Sequence, residues 1–375
     1  MDNPRETYCA AAWTHLCSVP DRDTFNPCCG WSREDNQPDI PFDHPDPLNH
    51  PWMQQLRQRM LNNEKVDGCS LCYRHEQDRG TSLRMNFNQW YGRDLDVTLR
   101  YLELNFGNLC NLKCRMCYSG FSSKWIADEI SLGKTPRQLL RRHMRDSHIN
   151  VSKLDRIRFT GGEPLMDQDQ ILEILRSVEQ AQGNLKGLTC QLINNGSFDV
   201  DPELMQLFQR TRWTQLATSV DGMHAVNEYQ RTGSKWNELE SRLRFYDSLC
   251  SEQWAHQIAL SLGTFNVTQL IEFTDWICRE LPRTSVVIQP IYHPLSQCIS
   301  NLPDWYKAQL ISEFESWQPS DPKRLHLAKN TVINLLKIQK NMEINAMRAE
   351  ITRLDLLRDE RFSDVDPRTH AAIFG

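Results

Sequence analysis

Three cysteines, Cys110, Cys114 and Cys117, stand in the spacing C-x3-C-x2-C within Cys110-Asn111-Leu112-Lys113-Cys114-Arg115-Met116-Cys117. Three thiolates on one short loop can each hold one iron of a four-iron, four-sulfur cluster. No fourth cysteine follows at close spacing, so one iron would keep an open position for a small molecule. A structural zinc site is the competing account, although such sites usually close with four ligands, commonly in C-x2-C pairs. Six more cysteines, Cys9, Cys17, Cys28, Cys29, Cys69 and Cys72, lie upstream, the last two as a C-x2-C pair. Four thiolates suffice to close a cluster completely, or to close a four-cysteine zinc site.

The elements that position these residues change character along the chain. From residue 99, apolar runs of strand length alternate with amphipathic helical stretches, which predicts βα units and a parallel sheet. Strands are expected at Leu99–Asn105, Arg156–Thr160, Leu188–Ile193, Gln215–Ser219, Gln257–Leu262 and Ser285–Ile291. Helices such as Asp169–Gln182 and Val267–Leu281 intervene. In such an arrangement function collects at the C-terminal strand ends. The first strand runs straight into the cysteine loop. The second ends in Thr160-Gly161-Gly162-Glu163-Pro164, where the glycines let backbone approach a ligand closely. The third ends in Asn194-Asn195-Gly196, which an Asn-Gly turn alone would explain. The fourth ends in Ser219-Val220-Asp221-Gly222, with Tyr229-Gln230-Arg231 beyond it. Arg231 suits a planar carboxylate partner, and a structural salt bridge explains it equally well. Glu103, Asn105, Gln191 and Gln289 are the candidates for polar residues lining the sheet.

The first hundred residues differ. Ala12 to Val19 is expected to form a strand, returning through a turn at Pro20 to Asp23 into Phe25 to Gly30. The proline-rich stretch from Asn36 to Pro51 reads as an irregular loop, and Trp52 to Asn62 as a helix. After Pro303 the chain reads as three helices, Pro303–Trp317, Pro322–Gln339 and Met342–Arg361. Cys190, Cys250, Cys278 and Cys298 show no ligand spacing and read as small buried hydrophobes.

The 375 residues allow one large domain plus an accessory one, and the formal charge of −5 argues against a nucleic-acid surface. No stretch approaches the roughly 20 apolar residues of a membrane span, and no N-terminal apolar run reads as a signal peptide. Thirteen cysteines without such a signal point to metal binding in a reducing cytoplasm rather than to disulfides.

In the order Cys110/Cys114/Cys117 followed by Tyr118, then GGEP, NNG, SVDG and YQR, the chain resembles the radical S-adenosylmethionine (radical SAM) superfamily. The resemblance implies an α/β fold, a partial (βα)6 TIM-like barrel, with a [4Fe-4S] cluster on Cys110, Cys114 and Cys117. In that family the open iron is chelated by S-adenosylmethionine (SAM). The positions implied to contact SAM are Tyr118, Gly161, Gly162, Glu163, Pro164, Asn194, Asn195, Ser219, Asp221 and Arg231. Asn194 departs from the threonine of the family's T-N-G.

The upstream cysteines resemble a twitch (SPASM-like) module. This implies an auxiliary [4Fe-4S] cluster on Cys9, Cys28, Cys69 and Cys72, with Cys28 preferred over Cys29 because it directly follows Pro27. Asp23 stands where that pattern often has glycine, and the module precedes the core instead of following it. Domains are accordingly placed at 1–95 (auxiliary module), 96–300 (core) and 301–375 (C-terminal helices).

The implied activity is reductive cleavage of SAM to a 5′-deoxyadenosyl radical that abstracts a substrate hydrogen atom. A peptide or protein side chain is the first expectation for the substrate, and a carbohydrate- or nucleotide-like small molecule the alternative. A non-enzymatic zinc-binding protein stands third. A reducing partner such as flavodoxin or ferredoxin is implied, and no membrane or nucleic-acid partner.

Overall fold

The computed structural model describes residues 7–19, 22–142 and 149–375. Eight strands follow the order β2-β1-β3-β4-β5-β6-β7-β8, a mostly parallel sheet that forms an unclosed partial barrel. They are β1 (His15–Ser18), β2 (Phe25–Asn26), β3 (Tyr101–Asn105), β4 (Arg156–Thr160), β5 (Thr189–Asn194), β6 (Trp213–Ser219), β7 (Trp254–Leu262) and β8 (Ser285–Pro290). The six strands expected from the alternating pattern are all present, within a few residues of their predicted ends. Two compact units divide the chain: 1–107, 140–191 and 201–213 in the first, and 108–139, 192–200 and 214–375 in the second.

In the first unit β1 pairs antiparallel with β2 and parallel with β3, and β3 pairs parallel with β4. The expected strand from Ala12 is shorter than predicted. Ala11–Thr14 closes a helical turn instead, in which the Thr14 hydroxyl donates to the Ala10 carbonyl. Alanines favour that turn, since they lose no side-chain entropy in it. The expected return turn at Pro20 to Asp23 falls partly outside the described residues. The return strand itself is only Phe25–Asn26, because Cys28 and the residues after it turn away from the sheet. The helix at Pro51–Leu61 lies where expected, and its buried Arg57 donates to the carbonyls of Ala12 and Leu48.

In the second unit β6, β7 and β8 pair in parallel. Along β7 burial alternates residue by residue, so His256, Ile258, Leu260 and Leu262 face the apolar side while Ala255, Gln257, Ala259 and Ser261 face the other. Ile258, Leu260 and Leu262 join a core with Phe273, Ile277 and Leu310, which covers that face with the helices Leu270–Glu280 and Asp304–Ser316. Two further helices, Pro322–Leu336 and Ile344–Arg358, complete this core through Val332 and Met347. Among the described residues, no helix is long and apolar enough to cross a membrane.

Two buried imidazoles tie stability to pH. His256 bridges the hydroxyls of Thr284 and Thr218. His15 lies against Phe87 and Tyr101, with Nδ1 2.8 Å from the Pro27 carbonyl. Burial lowers each pKa to about 3. Below about pH 6.5 the unfolded chain therefore binds protons that the native state refuses, and stability falls as pH drops from there towards 3. Each histidine is expected to cost about 2 kcal/mol between pH 7 and pH 5. Urea unfolding of the metal-free protein at the two pH values checks this. His256→Gln should show a smaller difference between them than the parent, and an unchanged difference would contradict the assignment.

Candidate cluster and cofactor site

The loop after β3 is fixed by backbone before any cofactor is considered. In the second unit, Lys113 N–H donates to the Thr232 carbonyl at 3.0 Å and Arg115 N–H to the Gln230 carbonyl at 2.8 Å. Leu112 is fully buried, and the Ser122 hydroxyl donates to its carbonyl at 2.5 Å. Trp125 Nε1 donates to the Cys114 carbonyl at 2.8 Å, and Gln297 Nε2 to the Arg115 carbonyl at 2.6 Å. Cys110 and Cys114 are buried in one cluster with Leu112, and Cys117 packs against them. The three predicted thiols are thus gathered by a loop that several backbone hydrogen bonds anchor.

The surroundings of Cys114 favour anionic sulfur. Asn195 Nδ2 lies 3.8 Å from Cys110 Sγ and donates to Asn111 Oδ1 at 2.9 Å. Arg231 Nη1 lies 3.7 Å from Cys114 Sγ. The Cys117 thiol donates to Cys114, and with the Arg231 charge it brings Cys114 down to about 7 against the opposing effect of burial. As the donor, and buried, Cys117 is pushed well above its ordinary value. Nitrogen donors directed at sulfur stabilise a thiolate, and they suit the negative charge of a ligated cluster equally.

Arg231 and Asp221 form a two-pronged buried pair. Nε lies 2.9 Å from Oδ2 and Nη2 donates to Oδ1 at 3.1 Å, while the Ser261 amide donates to Oδ1 at 2.7 Å. Burial opposes the guanidinium charge, but Asp221 and Cys114 outweigh it and its pKa is raised. Of the two sequence accounts of Arg231, the salt bridge is therefore present, and the same side chain also reaches the Cys114 sulfur.

The remaining predicted residues fall as follows. Asn194 accepts from the Gly196 amide through Oδ1, while its buried Nδ2 bonds nothing. Ser219 is half-buried at the end of β6, opposite Ala259. Tyr118 is exposed and packs edge-on against Phe121. A cavity of about 510 Å³ in the second unit is lined by Met116, Cys117, Tyr118, Phe121, Phe265 and Gln297, among others. In the first unit Gly161 has φ +144°, and a Cβ there would stand 3.1 Å from Phe106 N. Gly162 N–H donates to the Gly107 carbonyl. Glu163 is buried and its Oε1 accepts from the Leu165 amide, capping the turn that Pro164 opens.

The upstream cysteines also gather in the first unit. Cys9, Cys69 and Cys72 all lie close enough to Cys28 for their charges to raise its pKa, after the larger effect of burial. The Leu83 and Arg84 amides, at the start of the helix Leu83–Tyr91, donate to Cys72. Cys29 lies against Glu103 instead. Among the described residues, no group of three or more His, Cys, Asp and Glu converges to hold a single metal ion. What the structure shows for both sets of cysteines is proximity.

One set of residues had no sequence signal. Arg115, fully buried between two of the cysteines, donates through Nη2 to Asp355 at 2.7 Å and Glu360 at 2.5 Å, and through Nε to the Tyr229 carbonyl. Its guanidinium stacks 3.5 Å from the Tyr229 ring centroid. Arg358 adds bonds to Asp128 and Thr232. The helix Ile344–Arg358 and Glu360 just beyond it therefore hold the cysteine loop, across about 240 residues of sequence.

A partial α/β barrel that presents three sulfurs and the nitrogen donors facing them suits a sulfur-ligated metal centre. Residues 104–268 match the radical SAM superfamily. Over these residues the chain carries a radical SAM domain, and members of that superfamily bind a [4Fe-4S] cluster and SAM.

Two relatives are each 25% identical. One is a GTP 3′,8-cyclase of Synechococcus elongatus, matched over 60% of this chain and 65% of its own length. The other is an S-adenosylmethionine-dependent nucleotide dehydratase of Selenomonas ruminantium, matched over 33% of this chain and 39% of its own. The chain thus spans less than two thirds of either relative. Among solved structures, native anSMEcpe with bound AdoMet aligns over 57% of this chain and 62% of its own at 14% identity, with a TM-score of 0.38.

Proposed function

We propose that this chain is a SAM-cleaving radical enzyme acting on a nucleotide-like small molecule. The observation that carries the chemistry is the Cys110–Cys117 loop, whose sulfurs face Asn195 and Arg231 at 3.8 and 3.7 Å. These residues fit a sulfur-ligated cluster. Cys110, Cys114 and Cys117 would hold it, and Asn195 and Arg231 would direct nitrogen donors at two of the three ligating sulfurs. The unpartnered Asn194 Nδ2 is a buried donor that a bound molecule would satisfy. When bound, the cluster and SAM supply one-electron cleavage to a 5′-deoxyadenosyl radical able to abstract hydrogen from an unactivated C–H bond. The chain's own work is to fix the loop, hold the ligands as thiolates and keep solvent away from them.

Cys9, Cys28, Cys69 and Cys72 would hold an auxiliary cluster, acting as an electron acceptor, a relay or a structural brace. A small one-electron carrier such as flavodoxin or ferredoxin is the reductant this chemistry needs, and a reducing cytoplasm suits thirteen unpaired cysteines.

The order of substrates expected from sequence is reversed here. Both relatives are named for nucleotide chemistry, which supports the small-molecule alternative over a peptide. A cavity of about 510 Å³ beside Cys117 is of small-molecule size. The test is anaerobic incubation of the reconstituted, reduced protein with SAM and either a panel of ribonucleoside triphosphates or a peptide library, measuring 5′-deoxyadenosine. One nucleotide should raise its formation several-fold above background. Stimulation by peptides and by no nucleotide would reverse the proposal.

A further inference from the structure

The two faces of the sheet in the first unit carry different chemistry. Leu16, Leu102, Leu104, Ile157 and Phe159 occupy one face and are fully buried. On the other, register sets Cys17 of β1, Glu103 of β3 and Arg158 of β4 in a single row. Arg158 Nη1 stands 3.5 Å from Glu103 Oε1, too far for a good hydrogen bond. Glu103 is only 6% exposed, yet its Oε2 bonds nothing, and neither does Arg158 Nε. A buried polar atom left without a partner is destabilising, so a group that supplied both bonds would be held there. Cys29 lies against the same carboxylate, and the Arg158 side chain is 30% exposed, so the row is reachable from solvent at its Arg158 end.

The two vacancies are an acceptor and a donor on adjacent strands. An ammonium group would satisfy only Glu103, and a phosphate only Arg158, at the cost of repulsion from the carboxylate. A hydroxyl is donor and acceptor at one oxygen and can fill both. We propose that Glu103 and Arg158 hold a hydroxyl of the substrate and, resting on the nucleotide reading above, that it is a sugar hydroxyl of a nucleotide. Carboxylates serve that purpose in dinucleotide sites, where Asp or Glu accepts from a ribose hydroxyl.

Calorimetric titration of the reconstituted holoprotein tests this with GTP, ATP, CTP and UTP and with the 2′-deoxy and 3′-deoxy forms of each. At least one ribonucleotide should bind at least about tenfold more tightly than one of its deoxy forms, because a site built around a hydroxyl rejects the analogue lacking it. In Glu103→Gln and in Glu103→Leu/Arg158→Met that preference should collapse to within about twofold. The deoxynucleotide should bind these variants as it binds the parent, which also shows that they are folded. Ribonucleotide binding with no discrimination in the parent, or discrimination that survives in both variants, overturns the inference alone. Failure of all four ribonucleotides to bind the parent overturns the nucleotide reading and the inference with it.

Discussion

Replacing Cys110, Cys114 and Cys117 together by alanine should reduce formation of 5′-deoxyadenosine to background and lower iron by about four atoms per chain after anaerobic reconstitution. The expectation rests on the way the loop is made. Its backbone is anchored through Thr232, Gln230 and Gln297, contacts that do not involve the thiols. The variant should therefore fold with an empty loop. If the upstream cysteines hold a cluster of their own, about four of eight irons should remain, and a further Cys69→Ala/Cys72→Ala change should remove them. Product formed at the parent rate would mean that the loop is not the site of cleavage. Zinc in place of iron, with no sulfide, would make the chain a zinc protein.

The largest effect on stability should come from the Asp221–Arg231 pair. Asp221→Ala leaves a guanidinium buried without its carboxylate, and breaking such a pair from one side costs about 3–5 kcal/mol. For a chain of this size that is a Tm lower by roughly 5 °C. Arg231→Met should destabilise as well, because it strands Asp221, which the Ser261 amide alone then serves. The double variant Asp221→Ala/Arg231→Met should cost at least about 1 kcal/mol less than the sum of the two singles. Thermal melts of the metal-free protein keep cluster loss out of the comparison, and strict additivity would show that the two side chains are energetically independent. Arg231→Met has a second consequence that Asp221→Ala does not: it removes the nitrogen donor at Cys114. Arg231→Lys, which keeps the charge but not the fork, should recover less of the stability than its charge alone suggests.

Several of the strands that sequence foretold share one property. Arg156–Thr160, predicted and found with identical ends, alternates buried and half-buried residues along its whole length. Such a period is written within the segment itself, as is the C-x3-C-x2-C spacing. What escaped was written in two places at once. The turn at Ala11–Thr14 ends where His15 meets Tyr101, a pairing with a strand more than eighty residues away. In sequence Arg115 is one more charge in a loop, and nothing in the local pattern marks Asp355 and Glu360 as its partners. Burying the guanidinium makes both partners necessary, and no local pattern records that burial. Arg231 lies between these cases. Its ten-residue distance from Asp221 was visible, but whether the pair faced each other or a ligand depended on how the Tyr229–Arg231 segment packs.

The parallel pairing of β1 with β3 bears on how this chain can be divided. β3 has β4 on one side and β1 on the other, and β1 comes from the segment that brings Cys9 and Cys28. Cutting the chain near residue 95 would strip β3 of one neighbour and leave a row of unpaired amides and carbonyls along a wholly buried strand. Such an edge recruits other chains. A shortened protein beginning at residue 96 should therefore self-associate even if the upstream cysteines contribute nothing to catalysis. The upstream segment is structural masonry as well as a carrier of thiols, and exchange of these segments between relatives must preserve the seam at β1 and β3.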